Sequence, residues 1–290
     1  LESKYLADVN GRAEYLGEGW IAYVRGNSLV AQKLDLRAGK LVGDRVTLVD
    51  RLRIGAARGH FSTARDGSLA LIADTGTDNL QLVRLDRQGH TTTDAPLASG
   101  VFANPRLSPD GERVLVERRA SSLNSGGEIA LLDLARSAET QLSFTGGSAL
   151  RPIWSPDGRR FAYTQVVPGR PTVLRTAPAD GMGQQDSLVL DSRGYYLTQW
   201  HAGSNTILAH ETSRYVGWRI DMNANPPLVR ALVDSTSMRG HAVVSPDGRT
   251  VAFHAANANG VTMIWIRQMD ALEPRSLPGT EGGQRPFWSP

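Results

Sequence analysis

Pro152-Ile153-Trp154-Ser155-Pro156-Asp157-Gly158-Arg159-Arg160-Phe161-Ala162-Tyr163 carries the signal from which the rest of the chain is read. Pro pre-sets φ at the second place of a tight turn, Asp bonds back to its own backbone, and Gly accepts positive φ. Ser-Pro-Asp-Gly therefore encodes a hairpin turn that feeds the apolar strand Phe161-Ala162-Tyr163. The tetrapeptide recurs at Ser108-Pro109-Asp110-Gly111 and Ser245-Pro246-Asp247-Gly248, with a relative at Ala64-Arg65-Asp66-Gly67 and a truncated copy at Ser289-Pro290. Asp66, Asp110, Asp157 and Asp247 are separated by 44, 47 and 90 residues, the last being two steps of 45. The missing copy falls where that period demands it, at His201-Ala202-Gly203-Ser204, preceded by Gln199-Trp200 as Ser155 is by Ile153-Trp154.

Each period repeats one order of events. An apolar strand follows the turn (Val114-Leu115-Val116, Phe161-Ala162-Tyr163, Val251-Ala252-Phe253), and then a polar stretch rich in Gly, Asn and Ser. A second strand comes next, at 128–134 or 262–267, and a shorter one near 140–144 or 275–277. With the short strand ahead of the turn, that is four strands in about 45 residues, the length of a propeller blade. Gly and Pro break the β-branched runs about every eight to twelve residues, so no window sustains a helical period.

The expectation is an all-β single domain over residues 1–290, a β-propeller of about six four-stranded blades. They fall at 12–56, 57–100, 101–147, 148–194, 195–237 and 238–283. In the first, the turn has become Gly17-Glu18-Gly19. Residues 4–9 read as an outer strand of a preceding blade and 285–288 as an inner strand of a following one. Either a ring closes through both termini, or a wheel of seven or eight blades is truncated.

Composition excludes several functions. The chain is 40% hydrophobic and 21% charged, the balance of a globular protein with a sizeable core. Its 32 Lys+Arg against 29 Asp+Glu raise the isoelectric point to about 9.4, but these cations are scattered, and nucleic-acid affinity comes from clustered ones. With no cysteine, disulfides, thiolate metal sites and a Cys nucleophile are excluded. No apolar run approaches the ~20 residues of a membrane span. No Gly-x-Ser-x-Gly elbow occurs, nor a His-x-His or His-x-x-x-His pair among the six histidines, so neither a hydrolase nucleophile nor a local zinc site is expected. The acidic residues are mostly single and placed in turns, which argues against a calcium site. The reading is of no catalytic residue, no cofactor and no metal.

Pro-x-Trp-Ser-Pro-Asp-Gly-x-x-x-x-Tyr/Phe, complete at residues 152–163, resembles the WD-like repeats of the TolB propeller family over nearly the whole chain. Residues 19–35 (Gly19-Trp20-Ile21-Ala22-Tyr23 onward), Leu41-Val42-Gly43-Asp44, 104–111 and 129–135 look more narrowly like propellers fused to bacterial receptor-type serine/threonine kinases and winged-helix regulators. What the resemblance implies is an extracytoplasmic, periplasmic sensing or protein-interaction module, the partner-binding part of a larger signalling or envelope protein. Propellers of this type also precede peptidase domains, so a substrate-gating propeller of a serine hydrolase is the alternative.

One site expectation follows from the repeat itself. Four residues before the turn Ser or its equivalent stand His60, Asn104, Arg151, Leu197, His241 and Arg285, where inner strands begin and, in a ring, one mouth of the channel. Five of these six are polar and four can be cationic, a set suited to carboxylates of an acidic protein or peptide partner. Asp66, Asp110, Asp157 and Asp247 are read as turn formers, and Trp154, Trp200 and Trp288 as packing between blades.

Overall fold

In a computed structural model of the chain, residues 13–290 are described apart from 53, 56–57, 65, 74–79, 87, 93–97, 121–125, 145, 191–193, 212–215, 233–237, 272, 284–285, 287 and 289–290. Residues 4–9 therefore lie outside the described residues, as do Arg285 and Phe287. Among the described residues there is no helix, and so none long and apolar enough to cross a membrane. The chain divides into two compact units, Leu6–Pro152 and a second formed by Leu1–Tyr5 with Ile153–Pro290.

The first unit opens with an antiparallel meander of β1 (Ala13–Gly17), β2 (Trp20–Arg25), β3 (Ser28–Asp35) and β4 (Lys40–Val49). Its first turn uses three successive positive-φ residues, Gly17, Glu18 and Gly19, and the Gly19 N–H is held by the Tyr15 hydroxyl at 2.8 Å. A short hairpin, β5 (Ile54–Gly55) and β6 (Arg58–Gly59), leads to β7 (Phe61–Thr63), β8 (Leu69–Ala73) and β9 (Leu80–Leu85). Next come β10 (Ala98–Leu107), β11 (Arg113–Arg119), β12 (Gly127–Asp133) and β13 (Ala138–Gln141). These last seven strands form one sheet in the order β13-β12-β11-β10-β9-β8-β7.

This sheet departs from one sheet per repeat because β10 serves two. Its residues Ala98, Ser99 and Gly100 pair with β9, and Val101 onward pairs with β11. The run Ala98-Ser99-Gly100-Val101-Phe102-Ala103 contains no Pro, Asn or Asp that would end the strand, so the outer edge of one repeat continues into the inner strand of the next.

From β14 onward each repeat has its own four-stranded meander. The first is β14 (Ser148–Trp154), β15 (Arg160–Val166), β16 (Val173–Pro178) and β17 (Asp186–Val189). The next is β18 (Tyr195–His201), β19 (Thr206–Glu211), β20 (Gly217–Asp221) and β21 (Leu228–Ala231). The last is β22 (Met238–Val244), β23 (Thr250–Ala256), β24 (Thr262–Gln268) and β25 (Arg275–Ser276).

Strand alternation sorts the core onto two faces. In β8, Leu69 and Leu71 join an apolar cluster with Val24, Leu29 and Phe61, whereas Ala70 and Ile72 join another with Leu82, Phe102 and Val116. Both faces of the strand are covered, which is why its sequence is continuously apolar. In the second unit Ile207 and Ala209 of β19 pack with Ile153, Tyr195 and Ile220, while Leu208 points the other way toward Val251 and Phe253. The outer strands are exposed: every residue of β13 is.

The Ser-Pro-Asp-Gly turns share one hydrogen-bond scheme. In the copy at 155–158 the Ser155 hydroxyl donates to Asp157 at 2.6 Å and accepts from the Arg160 N–H at 2.8 Å, while Asp157 accepts from the Arg159 N–H at 3.0 Å. Ser108 with Asp110 and Ser245 with Asp247 repeat it. In the degenerate copy Ser68 supplies the hydroxyl to Asp66, at 2.6 Å. Neighbouring turns lie close together, since a Cβ at Gly111 (φ +76) would come within 3.1 Å of the Asp66 carboxylate.

At the drifted repeat, His201 takes the place of the turn serine. Its Nδ1 accepts the Ser204 N–H at 3.3 Å and its Nε2 meets the Pro246 carbonyl at 3.3 Å, which places the ring proton on Nε2. The imidazole fills the space over the next turn, where a Cβ at Gly248 would be 2.7 Å from its Cε1.

Candidate functional site

The cluster that gathers expected site residues is in the first unit, on the inner strands β10 and β14 and the neighbouring β11. Both Asn104 and Arg151 have positive φ, 48° and 55°, conformations that are uncommon for a non-glycine residue. Asn104 also falls within a register shift of the β10–β11 ladder, between Ala103 and Arg106. A bulge of this kind turns one residue out of the ladder and re-aims its N–H and side chain. The same break recurs beside Leu197 and at His241, between Leu197 and Gln199 and between Met238 and Ala242. The position four residues before the turn thus lies within a register shift at Asn104 and His241 and directly before one at Leu197.

The re-aimed groups converge on Glu117, whose side chain is fully buried on β11. Its Oε1 accepts the Asn104 amide at 2.6 Å and the Arg151 N–H at 2.7 Å. Its Oε2 takes Arg119 Nη2 at 2.6 Å, and that guanidinium is itself only 14% exposed. An ionised carboxylate is tolerable at such depth because hydrogen bonds and a countercharge meet both oxygens. With Asn104 Nδ2 committed to Glu117, its Oδ1 is turned to Arg151 and accepts Nη1 at 2.7 Å. On the other side the Asn104 N–H donates to His60 Nδ1 at 3.2 Å, so this imidazole presents its acceptor to the cluster and carries its proton on Nε2. Asn104 and Arg151 are half-buried and His60 likewise.

The arrangement is a chain of one residue per repeat, His60 to Asn104 to Arg151, laid over one buried carboxylate. Among the described residues Arg119 and Arg151 meet around this one carboxylate, and Arg151 is oriented by Asn104. Chemically this suits capture of a carboxylate by planar donors.

The remaining expected positions behave differently. Leu197 is buried in the apolar cluster of the second unit with Ile153 and Ile207. His241 is on β22, but its side chain, like the whole of Arg285, lies outside the described residues. Asp66, Asp110, Asp157 and Asp247 all hold turns. Their hydroxyl and N–H donors keep the Asp157 and Asp247 carboxyls below the usual range, the serine hydroxyl being the largest cause in each. Of the tryptophans, Trp154 is buried, Trp200 packs beside Tyr195 and Ile207 with its indole N–H on Asn205 at 2.9 Å, and Trp288 donates to the Val243 carbonyl at 3.2 Å.

Glu117 and Arg119 were outside the sequence expectation. A signal for Glu117 did exist: it lies seven residues after the turn Asp, and the same column carries Thr164, His210 and His254, all buried polar residues inside apolar strands. Another repeat-to-repeat device was equally unannounced. The N–H just before the turn is capped by a side chain one repeat earlier, Thr63 by Glu14 at 2.9 Å, Leu107 by Ser62 at 3.1 Å and Val244 by Gln199 at 3.1 Å.

Comparison with known proteins bears on the fold. TolB from Acinetobacter baumannii superposes with a TM-score of 0.59 at 21% identity, over 87% of this chain and 61% of that one. Oligogalacturonate lyase from Vibrio parahaemolyticus does so at 0.64 and 15% identity, over 86% of this chain and 74% of the lyase. Puromycin hydrolase gives 0.67 and 17%, over 93% of this chain and 47% of the hydrolase. The chain thus spans about three-fifths of that TolB and under half of the hydrolase. No curated protein matches the sequence. Residues 70–290, however, match the family described as PD40, the TolB beta propeller domain, and over three-quarters of its length this chain therefore belongs to the TolB β-propeller domain family.

Proposed function

We propose that this chain is a non-catalytic sensing or protein-interaction β-propeller of about six blades, part of a larger bacterial signalling or envelope protein. Its partner presents acidic side chains or a peptide carboxylate to the surface of His60, Asn104 and Arg151, with His241 and Arg285 as the corresponding groups of later repeats. The observation that carries the reading is the orientation of Arg151 by Asn104 Oδ1 at 2.7 Å, with Asn104 itself fixed on the buried Glu117. A donor held in place before binding loses less entropy when the ligand arrives. Membership of the TolB propeller family supports an interaction role and an extracytoplasmic, periplasmic placement. The narrower likeness to propellers joined to receptor kinases and winged-helix regulators supports a signalling context.

The test is binding of a Glu/Asp-rich peptide, followed against salt, by the native chain and by Arg151→Ala and Arg285→Ala. The expected result is weaker binding with a shallower salt dependence in each variant; unchanged affinity and slope overturn the acidic-partner reading. A second reading, the substrate-gating propeller of a hydrolase, is favoured by the 93% of this chain that superposes on puromycin hydrolase. An α/β-hydrolase segment encoded after Pro290 in the gene would support the gate, and further blades there would support the sensor.

A further inference from the structure

The outer strands of the 195–231 meander set two arginines face to face. Arg219 on β20 and Arg230 on β21 are direct partners in the antiparallel ladder, where like charges repel. A third guanidinium, Arg267 on β24, is depressed below the usual arginine range by burial first and then by the charge of Arg219. Among the described residues the carboxylate that answers them is Asp221, 3.9 Å from Arg219 Nη2, at the far limit of an ion pair. It offsets one charge of three.

The donors are also underused. The buried Nε atoms of both Arg219 and Arg267 meet no acceptor among the described residues, although Arg267 Nη1 is taken by the Ala271 carbonyl at 3.1 Å. Buried Nε atoms of Arg84, Arg106 and Arg119 are in the same state, so what sets this place apart is the meeting of three guanidiniums with one distant carboxylate. Beside them is a cleft of about 110 Å³ lined by Arg219, Asp221, Leu228 and Arg230, roomy enough for one tetrahedral oxyanion and its water.

We propose that Arg219 and Arg230, with the charge of Arg267 behind Arg219, form a binding site for a phosphate-class oxyanion, taken either as the free ion or as the terminal group of a small phosphomonoester. A tetrahedral anion offers several acceptor oxygens to donors arriving from different strands, and guanidinium forks match that geometry. Binding offsets the repulsion between Arg219 and Arg230 across the ladder. The site is separate from the Glu117 cluster, lying on the outer strands of the other compact unit, and stands whether or not the acidic-partner reading does.

Calorimetric titration of the chain with inorganic phosphate, at an ionic strength fixed with chloride, tests it. The expected result is saturable binding to the native protein that weakens about tenfold or more in Arg219→Gln and in Arg230→Gln, each of which removes a charge-assisted bond. The exposed Arg159→Gln serves as the control and binds as the native chain does. Arg230→Gln melts no lower than native in chloride alone, because the ladder repulsion has gone, and so reports on binding in a folded protein. Glycerol 3-phosphate distinguishes the sources: tighter binding than phosphate marks a monoester ligand, equal or weaker binding the free ion. Absence of saturable phosphate binding, or equal affinity in native and both glutamine variants, overturns the proposal.

Discussion

Glu117→Gln isolates the role of the buried carboxylate, because it preserves shape and removes charge. The native side chain accepts three hydrogen bonds, from Asn104, the Arg151 N–H and Arg119, all at 2.6–2.7 Å. A glutamine amide brings one oxygen and one NH2, so whichever way it is turned a donor faces a donor. If its oxygen stays with Asn104 and Arg151, the NH2 opposes Arg119, whose guanidinium is left in a site only 14% exposed. If it flips, Asn104 and Arg151 lose their shared acceptor. Removing one member of a buried ion pair costs about 3–5 kcal/mol, and the partial exposure of Arg119 places the expectation at the lower end, about 3 kcal/mol.

Because a domain of this size shifts by roughly 2 °C per kcal/mol, the melting temperature should fall by about 6 °C. Urea unfolding of Glu117→Gln, Arg119→Met and the double variant gives the coupling directly, expected to exceed about 1 kcal/mol. A destabilisation by Glu117→Gln below about 0.5 kcal/mol, with no coupling to Arg119→Met, would refute the claim that this carboxylate organises the cluster.

Three further predictions rest on other parts of the fold. The Asp157 carboxyl is held below its usual range chiefly by the Ser155 hydroxyl, so its stabilising effect is complete above the unfolded carboxyl value of ~3.9 and is lost as pH falls through the lower folded value. Acid unfolding followed by circular dichroism should show Ser155→Ala less stable than native at pH 6, with the gap narrowing as pH falls below the unfolded carboxyl value to the part due to the lost Arg160 N–H bond; a constant gap counts against the scheme. Gly248→Ala forces a Cβ to 2.7 Å from His201 Cε1 at φ +74 and should cost more than ~1 kcal/mol. In a His201→Ser background part of that cost should disappear, leaving the backbone strain, whereas an unchanged penalty in urea titrations contradicts the close approach. Phe253, 1% exposed in the cluster with Leu208 and Val251, should lose about 3–5 kcal/mol on replacement by Ala, measured as a reduced denaturation midpoint; a change under ~1 kcal/mol would mean that the cluster is not closed around it.

Much of this molecule was legible in its residues. The 44–47-residue period, the Ser-Pro-Asp-Gly turns and the apolar strands after them are local: a proline, an aspartate and a glycine act within four positions, and strand alternation acts within two. Hence the all-β class, the repeated meanders and the structural duty of Asp110, Asp157 and Asp247 could be read without coordinates. Counting back from the turn also picked out His60, Asn104 and Arg151, which hydrogen bonds join in series. It marked them by position alone, and by the same count it also included Leu197, which the fold buries.

What those residues do was decided only in three dimensions. Glu117 serves Arg151 from 34 residues away, and His60 reaches Asn104 across 44, through bulges and positive-φ backbone that no local propensity encodes. The double duty of β10 and the opposition of Arg219 to Arg230 have the same origin, since register is settled by which strand arrives alongside. Short-range preferences set the turns, strands and period of this chain. The site chemistry arises where side chains distant in sequence must share buried acceptors, and packing alone determines which ones meet.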